Sequence, residues 1–278
     1  MKITIIGANG MLGSDLTAIL SKEHEVVAIG RNRLDITKLD AVIGFFKGYK
    51  VDIIINCAAY TDVDGCESDQ DNAFLLNAIG PRNLAVVANE LNVTLLHIST
   101  DYVFDGMKGS PYFEHDATNP LNIYGATKLA GENFVKSLTN RYYIIRTQWL
   151  YGKNGRNFVD TMLKLSKKRD ILKVVNDQFG SPTYTLDLSE AISEMIKQPA
   201  YGVYHVTNEK ITTWYKFTCE IFRQAGIKNV TLQPCMTAEF PRMARRPAYG
   251  VLENYMWKVQ EYAPLRPFEE ALVDYLKF

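Results

Sequence analysis

The 278-residue chain is long enough to bury a substantial core, either as one large α/β domain or as a large domain with a smaller companion. Lys plus Arg and Asp plus Glu number 31 each, so no net field draws the protein to nucleic acid or to an anionic membrane, and a small-molecule partner is favoured. Cys57, Cys66, Cys219 and Cys235 form no CxxC pair and join no His/Cys cluster at metal-ligand spacing, which leaves reduced thiols as the plain reading.

The chain opens on an apolar, β-branched run, Ile3 to Ile6, that reads as a buried strand. Gly7 and Asn9 follow too soon for the apolar core of a signal peptide, and no run of about 18 apolar residues occurs elsewhere. A cytoplasmic protein that does not span a membrane is therefore expected. Gly7-Ala8-Asn9-Gly10-Met11-Leu12-Gly13 sits between this strand and a helical stretch, Met11 to Leu20, where a dinucleotide fingerprint belongs. Its spacing is GxxGxxG. Glycines there permit a tight turn, and free N–H groups at the helix start face a pyrophosphate.

A second strand, Val26 to Ile29, runs into Gly30-Arg31-Asn32-Arg33. A carboxylate that would hold the 2′-hydroxyl of NAD is missing from this strand end, whereas the Arg31 guanidinium, helped by Arg33, suits the 2′-phosphate of NADP. Two solvated loop arginines are the plainer alternative. Asp35 and Ile36 lie just beyond as wall residues. The third strand, Asp52 to Asn56, leads to Cys57-Ala58-Ala59-Tyr60, whose small side chains allow close approach to a cofactor or simply pack the strand end.

A long helical pattern, Asp69 to Leu91, precedes a fourth strand, Thr94 to Ile98, which ends in Ser99-Thr100-Asp101-Tyr102. A helix from Tyr124 to Leu138 and a strand from Tyr142 to Ile145 follow. This alternation predicts a Rossmann-like doubly wound parallel sheet over residues 1–150, with helices on both faces. Beyond residue 150 the alternation loosens, and seven prolines from Pro182 to Pro267 punctuate mixed short elements. Residues 151–278 are expected to form a smaller substrate-binding lobe, with segments such as Tyr204 to Val206 returning to the main sheet.

Of sixteen tyrosines only Tyr124 has a lysine four residues on, Lys128, which places both side chains on one helix face. Carbonyl reduction needs a hydride and a proton for the developing alkoxide, and a phenol can supply the proton if a neighbouring ammonium brings down its high pKa. A YxxxK pair is weak evidence alone; its place after the hydroxyl-rich end of the fourth strand gives it weight, because ligands bind at that edge of such sheets. Thr100 or Ser99 can hydrogen-bond the substrate carbonyl, or can merely terminate the strand.

Glycine loop, strand-end Ser-Thr and YxxxK in this order resemble the extended short-chain dehydrogenase/reductase superfamily. More narrowly, NCAAYTDVDGC (Asn56 to Cys66), STDYVFDG (Ser99 to Gly106), RTQWLYG (Arg146 to Gly152) and Gly180-Ser181-Pro182-Thr183 resemble the dTDP-4-dehydrorhamnose reductases. That resemblance implies NADPH-dependent reduction at C4 of dTDP-4-dehydro-β-L-rhamnose. It also implies Thr100, Tyr124 and Lys128 as catalytic residues, and Thr61, Val63, Ser99, Asp101, Tyr102, Trp149, Arg246 and Pro247 on the substrate side. An indole at Trp149 suits the apolar face of a deoxysugar, although a core anchor after a strand reads equally. Where the family usually has Asn-Ser after the proline, this chain has Tyr249-Gly250 after Ala248. Some relatives dimerise through magnesium; no matching carboxylates are identified here, no metal is expected, and a monomer or homodimer remains open.

Two rivals share the fold. Epimerases keep their nicotinamide through a full redox cycle, and dehydratases of the superfamily carry Thr-Asp-Glu where this chain has Thr100-Asp101-Tyr102. Regulatory partners of methionine adenosyltransferase resemble these reductases without acting as catalysts; the intact Thr100, Tyr124 and Lys128 set favours an enzyme.

Overall fold

The computed structural model describes residues 1–277. Six strands, β1 (Lys2–Ile6), β2 (Glu25–Ile29), β3 (Ile53–Asn56), β4 (Thr94–Thr100), β5 (Tyr142–Thr147) and β6 (Gly202–His205), form one all-parallel sheet in the order β2-β1-β3-β4-β5-β6. The apolar runs are continuous because both faces of the sheet are covered. Ile3, Ile5, Ile53, Ile55, Leu96, Tyr143 and Ile145 meet Leu12, Leu16 and Leu20 of helix α1 (Met11–Leu20) on one face. Their neighbours Ile6, Ile54, Leu95 and Ile144 turn to the opposite face and meet Val42 and Phe46 of α2 (Leu39–Phe46) and Leu84 and Val87 of α3 (Gly80–Glu90). Strand alternation thus produces the doubly wound architecture directly.

The expected 69–91 helix is broken into three pieces. Gln70–Phe74 is α-helical, Leu75–Ile79 is a π-helical turn, and α3 resumes at Gly80 with Pro81 in its first turn. Pro81 has no N–H to give and its ring crowds the carbonyl four residues back, that of Asn77, so the regular ladder cannot pass through it. The displaced Asn77 carbonyl presses on helix α4 (Ile123–Leu138), where a Cβ at Gly131 would sit 2.3 Å from that oxygen. Glycine is therefore required at 131, and the π turn and α4 are locked face to face.

The C-terminal half divides between sheet and lobe. Residues Thr185–Met195 form a helix whose Leu188 and Ile192 join the α1 side of the core, and Gly202–His205 follows as β6, beside β5. Tyr204 thus returns to the main sheet, opposite Ile145. The remaining segments build a separate core in which Val159, Met162, Leu172, Val174, Phe217, Ile221, Phe268 and Leu272 pack together. No helix among the described residues is long and apolar enough to cross a membrane.

Candidate active site

Strand order reverses between β1 and β3, and the loops at the carboxyl ends of β1, β2, β3 and β4 gather there. After β1 the chain turns at Gly7 with φ +78°, a left-handed backbone, and a Cβ at Gly13 would lie 2.3 Å from the Gly7 carbonyl oxygen. Gly10 opens α1 with no side chain capping it, so the first N–H groups of the helix are left to an external acceptor. Met11 is half-buried, while Leu12 turns into the core and offers only its backbone to this loop.

At the end of β2, Arg31 and Arg33 are exposed, and Arg33 Nη1 donates to the Ala28 carbonyl at 3.2 Å. Asp35 is exposed beyond this strand end. Its carboxylate accepts from the N–H and hydroxyl of Thr37 at 3.0 and 2.7 Å, and the Thr37 hydroxyl bond holds its pKa below the usual carboxylate range. Ile36 is withdrawn: its side chain is 2% exposed and its carbonyl accepts from Asn83 at 2.9 Å. Ala58, Ala59 and Tyr60 remain half-buried at the rim. Asn77, delivered by the π turn, holds this segment by accepting from Tyr60 N–H at 2.7 Å and donating to Tyr60 O at 3.1 Å and Thr127 Oγ1 at 3.2 Å.

Across the rim, α4 begins with Asn122, whose side chain accepts from Gly125 N–H at 2.8 Å. Its inner stripe is Tyr124, Lys128 and Glu132, at i, i+4 and i+8. Tyr124 packs edge-on against Tyr102 with ring centroids 5.4 Å apart. Burial pushes its phenol pKa up, with the Thr100 hydroxyl acting the other way. The expected lowering by Lys128 is not what the structure shows, because Lys128 is turned to the strand below: Nζ donates to Ile98 O at 2.5 Å and lies 3.5 Å from His97 Nε2. Burial brings the Lys128 pKa down to about 8.

Glu132 is wholly buried and accepts from Ser99 Oγ at 2.6 Å, from Arg146 Nε at 2.9 Å and Nη2 at 2.7 Å, and from Lys136 at 3.1 Å. Burial pushes its carboxyl up, but the Arg146 bonds and charge, with Lys136 and Ser99, outweigh this and hold it well below the ordinary carboxylate range. Ser99 thus gives its hydroxyl hydrogen to this network. Thr100 donates to Asp101 Oδ1 at 3.0 Å and accepts from Tyr102 N–H at 3.2 Å, and burial raises the Asp101 pKa to about 7.

The remaining matched segments converge on this point from the lobe. Phe179 N–H donates to Ala248 O at 2.8 Å, Gly250 N–H to Phe179 O at 2.9 Å, and Tyr249 N–H to Gly106 O at 3.2 Å, which ties 246–252 to both STDYVFDG and the Gly180 turn. Trp149 adopts φ +49°, rare for a bulky residue, and stacks on Trp214 with centroids 3.5 Å apart. Arg246 grips Asp64 with two bonds of 2.6 and 2.9 Å, next to Val63 and the exposed Thr61.

The family described as RmlD substrate binding domain matches residues 1–278. The spore coat polysaccharide biosynthesis protein SpsK of Bacillus subtilis is 41% identical over 99% of this chain and 97% of its own. The dTDP-4-dehydrorhamnose reductase of Aggregatibacter actinomycetemcomitans is 39% identical over 96% of this chain and 94% of its own. Among solved structures, a dTDP-4-dehydrorhamnose reductase of Clostridium acetobutylicum superposes with TM-score 0.97 at 49% identity, covering 100% of this chain and 99% of that one. The Bacillus anthracis enzyme, in complex with NADP, gives 0.97 at 42% identity, covering 99% and 98%. The chain belongs to the dTDP-4-dehydrorhamnose reductase family.

For a member of this reductase family, several residues of the site escaped sequence reasoning. Asn77, His97, Trp214 and the Glu132–Arg146 pair all lie at or beneath the rim. Glu132 carried a signal, since it continues the Tyr124–Lys128 stripe by one further turn. Asn77 and Trp214 carried none, because each reaches its partner across more than a dozen residues of chain.

Proposed function

We propose that this reductase reduces the C4 keto group of dTDP-4-dehydro-β-L-rhamnose with NADPH, giving dTDP-L-rhamnose. The observation that carries the reading is the Tyr124 phenol, kept protonated by burial and set against Thr100 and Tyr102 at the end of β4. The names of the relatives support the substrate class, and the Bacillus anthracis structure with NADP supports the cofactor.

The residues present fit a dinucleotide. An uncapped helix start behind Gly7, Gly10 and Gly13, next to Asn9, Met11 and Leu12, suits a pyrophosphate, and Arg31 beside a strand end without a free carboxylate suits a 2′-phosphate. Ala58, Ala59 and Tyr60 would flank it. When bound, NADPH supplies the hydride. As negative charge develops on the keto oxygen, Tyr124 gives up its phenolic proton to that oxygen, and Thr100 orients the carbonyl. Lys128 lies one helical turn from Tyr124 and exchanges its own proton easily, because burial has made its ammonium weak to hold. On the sugar-nucleotide side we assign Thr61, Val63, Asp101, Tyr102, Trp149, Arg246 and Pro247, with residues 151–278 supplying the substrate lobe apart from the segments that join the main sheet. The four free cysteines support a cytoplasmic location.

The test follows NADPH oxidation with a panel of dTDP- and UDP-linked 4-keto sugars and determines the product's configuration at C4. Stoichiometric NADPH consumption with dTDP-4-dehydrorhamnose and a rhamno product is expected. Epimerisation without net NADPH loss would overturn the proposal.

A further inference from the structure

We propose that His97, fixed by Asn56 as a hydrogen-bond donor toward Lys128, is a positioning residue that makes the Lys128 ammonium ready to release its proton. The proposal rests on the reading that Lys128 serves Tyr124, but its first test does not depend on turnover.

The direction of each hydrogen bond follows from one backbone group. Ala58 N–H meets the Asn56 side chain at 3.1 Å, and since an N–H can only donate, the atom it meets is Oδ1. The amide nitrogen of Asn56 therefore faces His97 Nδ1, at 3.1 Å, and Nδ1 must accept. A neutral imidazole that accepts at Nδ1 carries its hydrogen on Nε2, and Nε2 lies 3.5 Å from Lys128 Nζ. The doubly protonated ring is disfavoured here, because burial and the Lys128 charge hold the His97 pKa well below its ordinary value.

The contact thus changes sign with the state of Lys128. An ammonium meets the Nε2–H donor to donor, whereas the neutral amine has a lone pair that accepts it. The other groups facing Nζ do not restore the balance. Ile98 O is a single acceptor, Cys57 from the segment after β3 is a thiol that burial holds neutral with a pKa of about 12, and Glu132 from α4 is already shared among Arg146, Lys136 and Ser99. Burial alone would weaken the ammonium. The fixed N–H of His97 adds a directional reason, and places the strand residue at 97 under Lys128 just as Ser99 lies under Glu132.

Nitrogen-15 spectra of the histidine rings of the whole protein, with His97→Phe used to assign the signal, give the direct test. An unprotonated Nδ1 and a protonated Nε2 at neutral pH are expected; the reverse tautomer or an imidazolium would overturn the proposal. Asn56→Asp supplies the kinetic arm, because a carboxylate beside Nδ1 draws the hydrogen there and turns the Nε2 lone pair toward Lys128. The basic limb of kcat/KM then moves to higher pH by about one unit, a tenfold gain in proton affinity. His97→Phe shifts it the same way by less, and in the double variant the Asn56→Asp effect shrinks. A basic limb that stays in place in folded, NADPH-binding Asn56→Asp and His97→Phe contradicts the proposal. If His97→Phe fails to fold, substitutions of His24, His115 and His205 assign the other three signals, and the wild-type spectrum still decides. Retained activity in Tyr124→Phe would sink the functional reading instead and leave the tautomer result standing.

Discussion

On the cofactor side of the cleft the groups turned outward are mostly backbone, namely the Gly7 turn and the uncapped N–H groups at the start of α1. On the α4 side they are side chains, and each is held by others beneath it: Lys128 by Ile98, Glu132 by Ser99 and Arg146. A wall made of backbone tolerates changes of side chain wherever the turn itself survives. A wall made of buried charge does not, since removing one member strands its partner in a low-dielectric interior.

Substitutions on the two walls sharpen this contrast. Tyr124→Phe, which deletes only the proton donor, is expected to lower kcat roughly 100- to 10,000-fold while NADPH binding, measured by fluorescence titration, stays near wild type. Glu132→Gln leaves Arg146 buried without its counter-charge and is expected to cost about 3–5 kcal/mol in urea unfolding. The same carboxylate gives a pH signature. Its pKa is depressed in the folded chain, so its contribution is present above the ordinary carboxylate range and is lost as pH falls below that range. The wild-type urea midpoint should therefore fall with acid more steeply than that of Glu132→Gln.

On the backbone wall, Gly13→Ala sets a methyl group 2.3 Å from the Gly7 carbonyl and is expected to cost about 1–3 kcal/mol and to weaken NADPH. Glu132→Gln that spared stability while Gly13→Ala abolished folding would invert the contrast. The smallest effect is expected at exposed Arg31. Arg31→Ala should weaken NADPH about tenfold, as loss of one charge-assisted contact does, and leave NADH nearly unchanged, by calorimetric titration.

What could be read from sequence follows the same division. The glycine turn, the alternating apolar strands and the Tyr124–Lys128 spacing are local patterns, and each stands where its pattern predicts. The supports under α4 depend on which helix residue lies above which strand residue, and no local pattern states that register. Ser99 and Thr100 are successive strand residues whose side chains alternate across the sheet, and their partners differ accordingly, Glu132 for one and Asp101 for the other. Asp35 is exposed and closes its own turn onto Thr37 two residues on, a contact that a local pattern can state. The break in the 69–91 helix was signalled by Pro81, but the π turn that delivers Asn77 to Tyr60 was not.

Proton transfer to the sugar depends most on where the Tyr124 hydroxyl stands relative to the reacting carbon. A crystal structure of the protein with NADP and a dTDP-linked 6-deoxy sugar measures this directly. The phenol oxygen is expected within hydrogen-bonding reach of the sugar's C4 oxygen, about 2.6–3.2 Å. A Tyr124 hydroxyl directed into solvent, with the C4 oxygen held by other groups, would contradict it.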